Sequence, residues 1–415
     1  MNDPKTKKSE DANDGHKEKD DISHTIVSIN KDDPIVFIVT TMKTTTKKTT
    51  AVPSTSSSSS STPSSATTSL VEDVDVVIRI PKLSFGLYKV PNDDSGVNIV
   101  YNAMTVGYRH FDCAPIYGNE VIFGKAYQRY VKEQLGEESK DDDDDTTAAS
   151  TTQPKKTAAD IRNEFYITSK VWNDTQRQGS KEAIRSSVLQ SIQDLQCESY
   201  LDLCYIHWPV PKHFISTYLV LQEMVHEGYV RNIGLSNFTI QDYQELLSCK
   251  EVRIQPILNQ MEVSVFMYRP QIVNYFQKDA NMIVASSKSL YRGVGYDTCD
   301  ILMDIVKAKN KELQQRQHER KRKREEEDGQ DESTVTTITP TQAGITPAQM
   351  LLRWCYQKDL VVISKTSSKQ RMIENRCILQ DDFALRDDEM KKLDSLTTQE
   401  SIDERTQLEI QRKNE

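Results

Sequence analysis

Four side chains able to give, take or steer a proton hold comparable places along this chain: Asp112, Tyr117, Lys170 and His207. Each ends, or shortly follows, a run of apolar β-branched or aromatic residues. The runs are Arg109–Cys113 before Tyr117, Glu164–Lys170, and Leu201–His207. A carboxylate, a phenol, an ammonium and an imidazole gathered on one rim would form a general acid–base site. Taken singly, each group has an ordinary structural use. An Asp after a strand caps a helix, a Lys at a strand end points to solvent, and a lone His satisfies a local hydrogen bond. The chemistry therefore depends on which elements bring the four ends together.

Eight short runs read as strands: Lys82–Tyr88, Arg109–Cys113, Glu164–Lys170, Leu201–His207, Arg231–Leu235, Gln255–Gln260, Asn281–Ala285 and Leu360–Lys365. Between them lie stretches with helical spacing of apolar residues. One begins at Lys181 and runs to Leu195; another runs from Phe214 to His226 and stops at Gly228. Strands alternating with helices imply a parallel sheet, and eight such units without a Gly-rich first turn imply a closed (β/α)₈ TIM barrel. In that architecture the reactive groups sit at the C-terminal strand ends and the loops after them.

The chain has 415 residues, a net charge of −9 and 36% hydrophobic residues. Residues 1–72, rich in Ser, Thr, Lys and Asp, read as a disordered tail, because they hold too little apolar surface to offset chain entropy. Residues 73–415 read as the barrel with two low-complexity insertions, at about 136–160 and 309–343. The first contains the acidic run Asp141 to Asp145, and the second Lys321-Arg322-Lys323-Arg324 followed by acidic residues. Without these pieces roughly 260–270 residues remain, close to the usual size of one such barrel. The negative charge disfavours nucleic acid as a partner. No apolar run approaches the roughly 18–20 residues that span a bilayer, so no membrane partner is expected. The N-terminus follows neither a secretory nor a transit plan. Seven scattered cysteines without a C-x-x-C pair fit a reducing compartment, and a cytoplasmic monomer is the expectation. No zinc-binding pattern occurs, so no metal is expected.

These residues carry a resemblance to the aldo-keto reductases. Phe111-Asp112-Cys113-Ala114 with Tyr117-Gly118-Asn119-Glu120 is similar to the family's first signature. Leu201-Asp202-Leu203, Ile206-His207-Trp208-Pro209, Glu227-Gly228 and Arg231 through Phe238 resemble the second. Ile363-Ser364-Lys365-Thr366 with Arg371, Glu374 and Asn375 resembles the third. The resemblance implies a tetrad of Asp112, Tyr117, Lys170 and His207 that reduces aldehydes or ketones with NADPH. Tyr117 would be the general acid, and Lys170 would lower its pKa by stabilising the phenolate. Asp112 would hold Lys170, and His207 would orient the substrate carbonyl oxygen.

No G-x-G-x-x-G and no P-loop occurs, but barrels often bind phosphate after strands seven and eight at a short helix. Here strand eight ends Lys365-Thr366-Ser367-Ser368, before a helical stretch through Arg371 and Asn375. The expectation is an NADP(H) site in which the cations Lys365 and Arg371 and the hydroxyls of Thr366 and Ser367 meet the 2′-phosphate; the resemblance implies the same duty for Lys365, Thr366 and Arg371, and places Glu374 and Asn375 near the adenine. The resemblance gives Ser236, Asn237 and Gln260 to the nicotinamide amide. Tyr88, Trp172 and Trp208 are expected to line the pocket for the small-molecule carbonyl substrate.

The chain departs from the family pattern after strand seven, where Ser286 or Ser287 stands in place of a tyrosine that stacks on the nicotinamide. Tyr291 lies too far along to substitute without a rearranged loop. Losing that stacking partner would cost about 0.5–1.5 kcal/mol of cofactor affinity. A short loop after Pro209 and the little chain beyond Leu396 point to a more open substrate pocket. The alternative function is an NADPH-binding regulatory or sensor subunit on the same barrel.

Overall fold

The computed structural model describes residues 23–28, 36–49, 69–136, 156–326 and 344–415. Eight parallel strands close into a barrel. They are β1 (Leu83–Gly86), β2 (His110–Asp112), β3 (Tyr166–Val171), β4 (Leu203–Ile206), β5 (Ile233–Ser236), β6 (Leu258–Glu262), β7 (Ile283–Ser287) and β8 (Val361–Ser364). All eight expected strands are present, each within a few residues of its expected bounds. β8 closes on β1 with Ile363 opposite Ser84, and β1 pairs with β2 with Gly86 opposite Asp112. Nearly every strand residue is buried, as required of strands covered by side chains inside and helices outside. Gly234 in β5 makes this closeness possible. A Cβ there would come within 2.6 Å of the Tyr205 ring on β4.

The helices carry their own start signals. α1 (Asp94–Val106) begins where the Asp93 carboxylate accepts from the Ser95 and Gly96 amides, and α2 (Glu120–Leu135) ends at Gly136 with φ 73°. α3 (Ala158–Glu164) starts with a reciprocal Thr157–Asp160 capping box. α4 (Asn173–Arg177), α5 (Lys181–Leu195), α6 (Phe214–His226), α7 (Ile240–Ser248) and α8 (Pro270–Asn274) follow in turn. After them come α9 (Asp300–Glu326), α10 (Pro347–Gln357), α11 (Lys369–Arg376), α12 (Asp387–Asp394) and α13 (Gln399–Asn414).

One ion pair ties the lower part of the barrel. Arg162, at the end of α3, donates to Asp202 Oδ2 at 2.8 Å and to the carbonyls of Cys197, Phe165 and Tyr200. Asp202 also accepts from the Ile167 amide at 2.9 Å, so this signature residue is built into the wall.

The structure defines three segments further. In the N-terminal region, Ser23–Ser28, Val36–Thr49 and Ser69–Pro81 form a three-stranded sheet. The Val, Ile and Thr content of 36–49 favours extended backbone; the rest of that tail before 69 lies outside the described residues. The helix α9 runs to Glu326, so the second insertion does not begin at 309. Lys309 is buried and bonds Glu389 at 2.9 Å, and Leu313 is buried too, which fastens this part of α9 to the fold. The acidic run Asp141 to Asp145 and the loop after Glu326 lie outside the described residues. Finally, the short chain beyond Leu396 is helical. It forms α13, started by the Thr398 side chain accepting from the Ser401 amide.

Among the described residues no helix is long and apolar enough to cross a membrane. All seven cysteines are free.

Candidate active site

Three strand ends and one turn place the acid–base groups. Asp112 is the last residue of β2, Lys170 lies near the end of β3, and His207 directly follows β4. Tyr117 closes a single 3₁₀ turn, Pro115–Tyr117, that starts with a proline and ends at Gly118 with φ 70°. This turn folds the chain back over the rim, which brings the phenol over β3 although Tyr117 and Lys170 are far apart in sequence.

Lys170 is the hub. Its Nζ donates to Asp112 Oδ1 at 2.7 Å, to the Cys113 carbonyl at 2.8 Å and to the Tyr117 hydroxyl at 3.3 Å. Burial pulls the ammonium pKa down, but the Asp112 carboxylate and the Tyr117 oxygen outweigh it, and the net shift is upward. Lys170 is thus a permanent cation although its side chain is fully buried. Tyr117 shows the opposite balance. Burial raises the phenol further than Lys170 lowers it, and the pKa is pushed up to about 12. Lys170 lowers the phenol pKa as expected, but its pull is smaller than the desolvation of the phenolate. His207 is held well below its ordinary pKa by burial and by the positive charge of Lys170, so its ring is neutral. Its Nδ1 is buried and has no hydrogen-bond partner among the described residues.

Three aromatic rings surround these groups. Tyr88, about half exposed, meets Tyr117 edge-on at 5.3 Å, and Trp172 meets His207 edge-on at 4.9 Å. Trp208 is buried, and the guanidinium of Arg405 on α13 lies 5.6 Å from its ring centroid. The terminal helix thus lies against the rim beside β4 and β5.

The residues assigned to a cofactor amide sit beside the tetrad. Gln260, buried in β6, donates to Asp112 Oδ1 at 2.7 Å. Ser236 ends β5, and Asn237, with φ 61°, donates from Nδ2 to the Ser236 hydroxyl and the His207 carbonyl, both at 3.0 Å. Asn237 Oδ1 accepts from Arg405 at 2.8 Å. Ser286 is buried and bonds the Val263 carbonyl, while the Tyr291 ring packs on Phe266 at 5.6 Å.

At the end of β8 the cations cluster. Lys365 and Arg371 are exposed. Partial burial and the positive charges of Arg371 and Lys89 hold Lys365 below its usual pKa. Depression of this kind marks a place short of negative charge. Thr366 is buried and its hydroxyl accepts from the Ser368 amide at 3.2 Å, while the Ser368 hydroxyl caps α11 by accepting from the Arg371 amide. Ser367 is exposed, Glu374 is half-buried, and Asn375 is buried. Three cations with hydroxyls and a helix N-terminus fit a phosphate-bearing cofactor. Sequence reading missed Lys89. Its signal was its place in the first strand-to-helix loop, on the rim that also carries the end of β8.

A closed parallel barrel with a Tyr–Lys–Asp–His cluster at its C-terminal rim and a cationic helix start after β8 defines an oxidoreductase of one family. The chain belongs to the aldo/keto reductase family, whose model matches residues 82–398. It is 28% identical over 337 residues to a glyoxal reductase of Bacillus subtilis, covering 81% of this chain and 96% of that one. It is 27% identical over 346 residues to an NADPH-dependent D-xylose reductase of Candida boidinii, covering 77% and 90% respectively. Among solved structures, the aldose reductase of Schistosoma japonicum superposes with a TM-score of 0.56 at 26% identity, covering 78% of this chain and 91% of that one.

Proposed function

We propose that this chain reduces aldehydes and ketones with NADPH, Tyr117 acting as general acid. The observation that carries this reading is the Lys170 ammonium, which touches both Asp112 and the Tyr117 hydroxyl. When bound, the nicotinamide cofactor supplies the hydride. The protein's part is to hold the carbonyl and to deliver a proton to its oxygen as negative charge develops there. With a pKa of about 12, Tyr117 keeps its proton throughout the neutral range and is ready to donate. The phenolate left behind is met at once by Lys170, whose charge Asp112 maintains. Neutral His207 can offer an N–H to the same oxygen without competing as an acid, which orients the carbonyl toward Tyr117.

Lys365, Arg371 and Lys89 would hold the 2′-phosphate that separates NADP(H) from NAD(H), with Thr366 and Ser367 beside them. Similarity to the D-xylose reductase, named as NADPH-dependent, supports the same choice. Tyr88, Trp172 and Trp208 favour aromatic or medium-sized aldehydes. The free cysteines support a reducing, cytoplasmic setting for the monomer.

NADPH consumption with a panel of aromatic and aliphatic aldehydes tests the reading. Wild type should turn over, and Tyr117→Phe should lose on the order of 100- to 10,000-fold. A Tyr117→Phe protein that keeps most of the activity overturns the acid assignment. A wild type that binds NADPH and reduces nothing in the panel makes the sensor reading the better one.

A further inference from the structure

The terminal helix α13 lies across the rim, and its most deeply buried cation is Arg405. All three guanidinium nitrogens are used. Nε donates to Glu409 Oε1, Nη1 to Glu262 Oε2 and Nη2 to Asn237 Oδ1, each at 2.8 Å. Glu262 also pairs with Lys288, and Glu409 with Arg269. Five buried or half-buried charges thus meet where α13 crosses the ends of β5 and β6.

Burying such a network gains little stability over apolar packing of the same volume. The helix also has other fastenings. The Tyr268 amide donates to Thr397, Asn173 Nδ2 donates to the Arg412 carbonyl at 2.9 Å, and Arg177 donates to the Lys413 carbonyl at 3.1 Å. The specific effect of Arg405 falls on Asn237. A guanidinium only donates and the His207 carbonyl only accepts, so the two together hold the Asn237 amide with its oxygen toward Arg405. The amide nitrogen is then committed to the Ser236 hydroxyl and the His207 carbonyl. Without Arg405 the amide oxygen would lose its donor, and the left-handed backbone at Asn237 would lose a restraint.

We infer that Arg405 is a positioning residue for the nicotinamide end of the cofactor site, acting through Asn237 and making α13 part of that site. The inference rests on the NADPH reading above.

The test compares two nucleotides on the full chain by isothermal titration calorimetry. NADPH has both ends of the cofactor; adenosine 2′,5′-bisphosphate has the adenine and 2′-phosphate and lacks the nicotinamide. Arg405→Ala should weaken NADPH roughly 10- to 100-fold, the worth of one charged hydrogen bond. It should leave the bisphosphate within about twofold, since nothing in the Lys365 cluster touches Arg405. Arg405→Lys, which keeps charge and buried volume, should recover part of the loss and guards against a misfolded alanine variant. Equal weakening of both nucleotides would reduce Arg405 to a general support of the fold. Tighter NADPH binding in Arg405→Ala would make it a competitor for the site instead. Either result overturns the inference. A wild type that binds neither nucleotide overturns the cofactor reading beneath it.

Discussion

Replacing Lys170 by methionine separates the electrostatics of this site from its shape. Methionine keeps most of the volume and removes the charge. In the folded protein Asp112 then remains buried, with Gln260 Nε2 as its remaining side-chain partner among the described residues. Removing one partner of a buried pair costs about 3–5 kcal/mol, because the other charge is left uncompensated. At about 2 °C per kcal/mol in a chain of this size, the melting temperature should fall by roughly 6–10 °C. The double variant Asp112→Asn, Lys170→Met leaves no charge behind, so it should recover more than half of that loss. Tyr117 loses its only lowering influence, and its pKa should move upward from about 12. Because alcohol oxidation needs the phenolate, the alkaline rise of the reverse reaction should shift to higher pH. Thermal unfolding followed by circular dichroism, beside a pH series of the oxidation rate, provides the assay. A double variant no more stable than Lys170→Met would refute the claim that the ammonium compensates Asp112.

Three further outcomes follow from other contacts. Lys365→Ala with Arg371→Ala should weaken NADPH by about tenfold per cation, since both are exposed and screened, and leave NADH unchanged; calorimetry showing equal loss for both would end the phosphate assignment. Glu120 is buried between the Ser169 and Ser191 hydroxyls, and burial lifts its carboxyl to about 6. A raised acid favours folding while protonated, so its contribution is full below pH 4.5 and lost as pH rises to about 6, a change of about 2 kcal/mol. Glu120→Gln should therefore gain that amount relative to wild type between pH 4.5 and 7 in urea unfolding, and a flat difference would sink the argument. Arg162→Met strips Asp202 of its main partner and should cost about 3–5 kcal/mol while leaving turnover per folded molecule unchanged. A fall in turnover of the folded protein would show that the lower wall reaches the site.

The barrel was legible because its signal is local and repeated. Eight apolar runs at helix-and-a-strand spacing allow few closed arrangements, and the strand ends named the rim on which Asp112, Lys170 and His207 stand. Segment ends were less legible. Lys309 and Leu313 look like the start of a charged insertion until Glu389 and the barrel wall are seen beside them. The little chain beyond Leu396 gave no sign of the helix that fastens to the rim, because sequence spacing cannot show which face will be covered. The sequence by itself determined the fold class and the acid–base residue types, since both follow from periodicity and from groups fixed to strand ends. Only the tertiary structure decided the balance of charge and burial. It set whether desolvation or Lys170 wins at Tyr117, brought Lys89 to the Lys365 cluster, and placed Arg405 on Asn237. Those outcomes depend on distance and on exclusion of water, which sequence order does not carry.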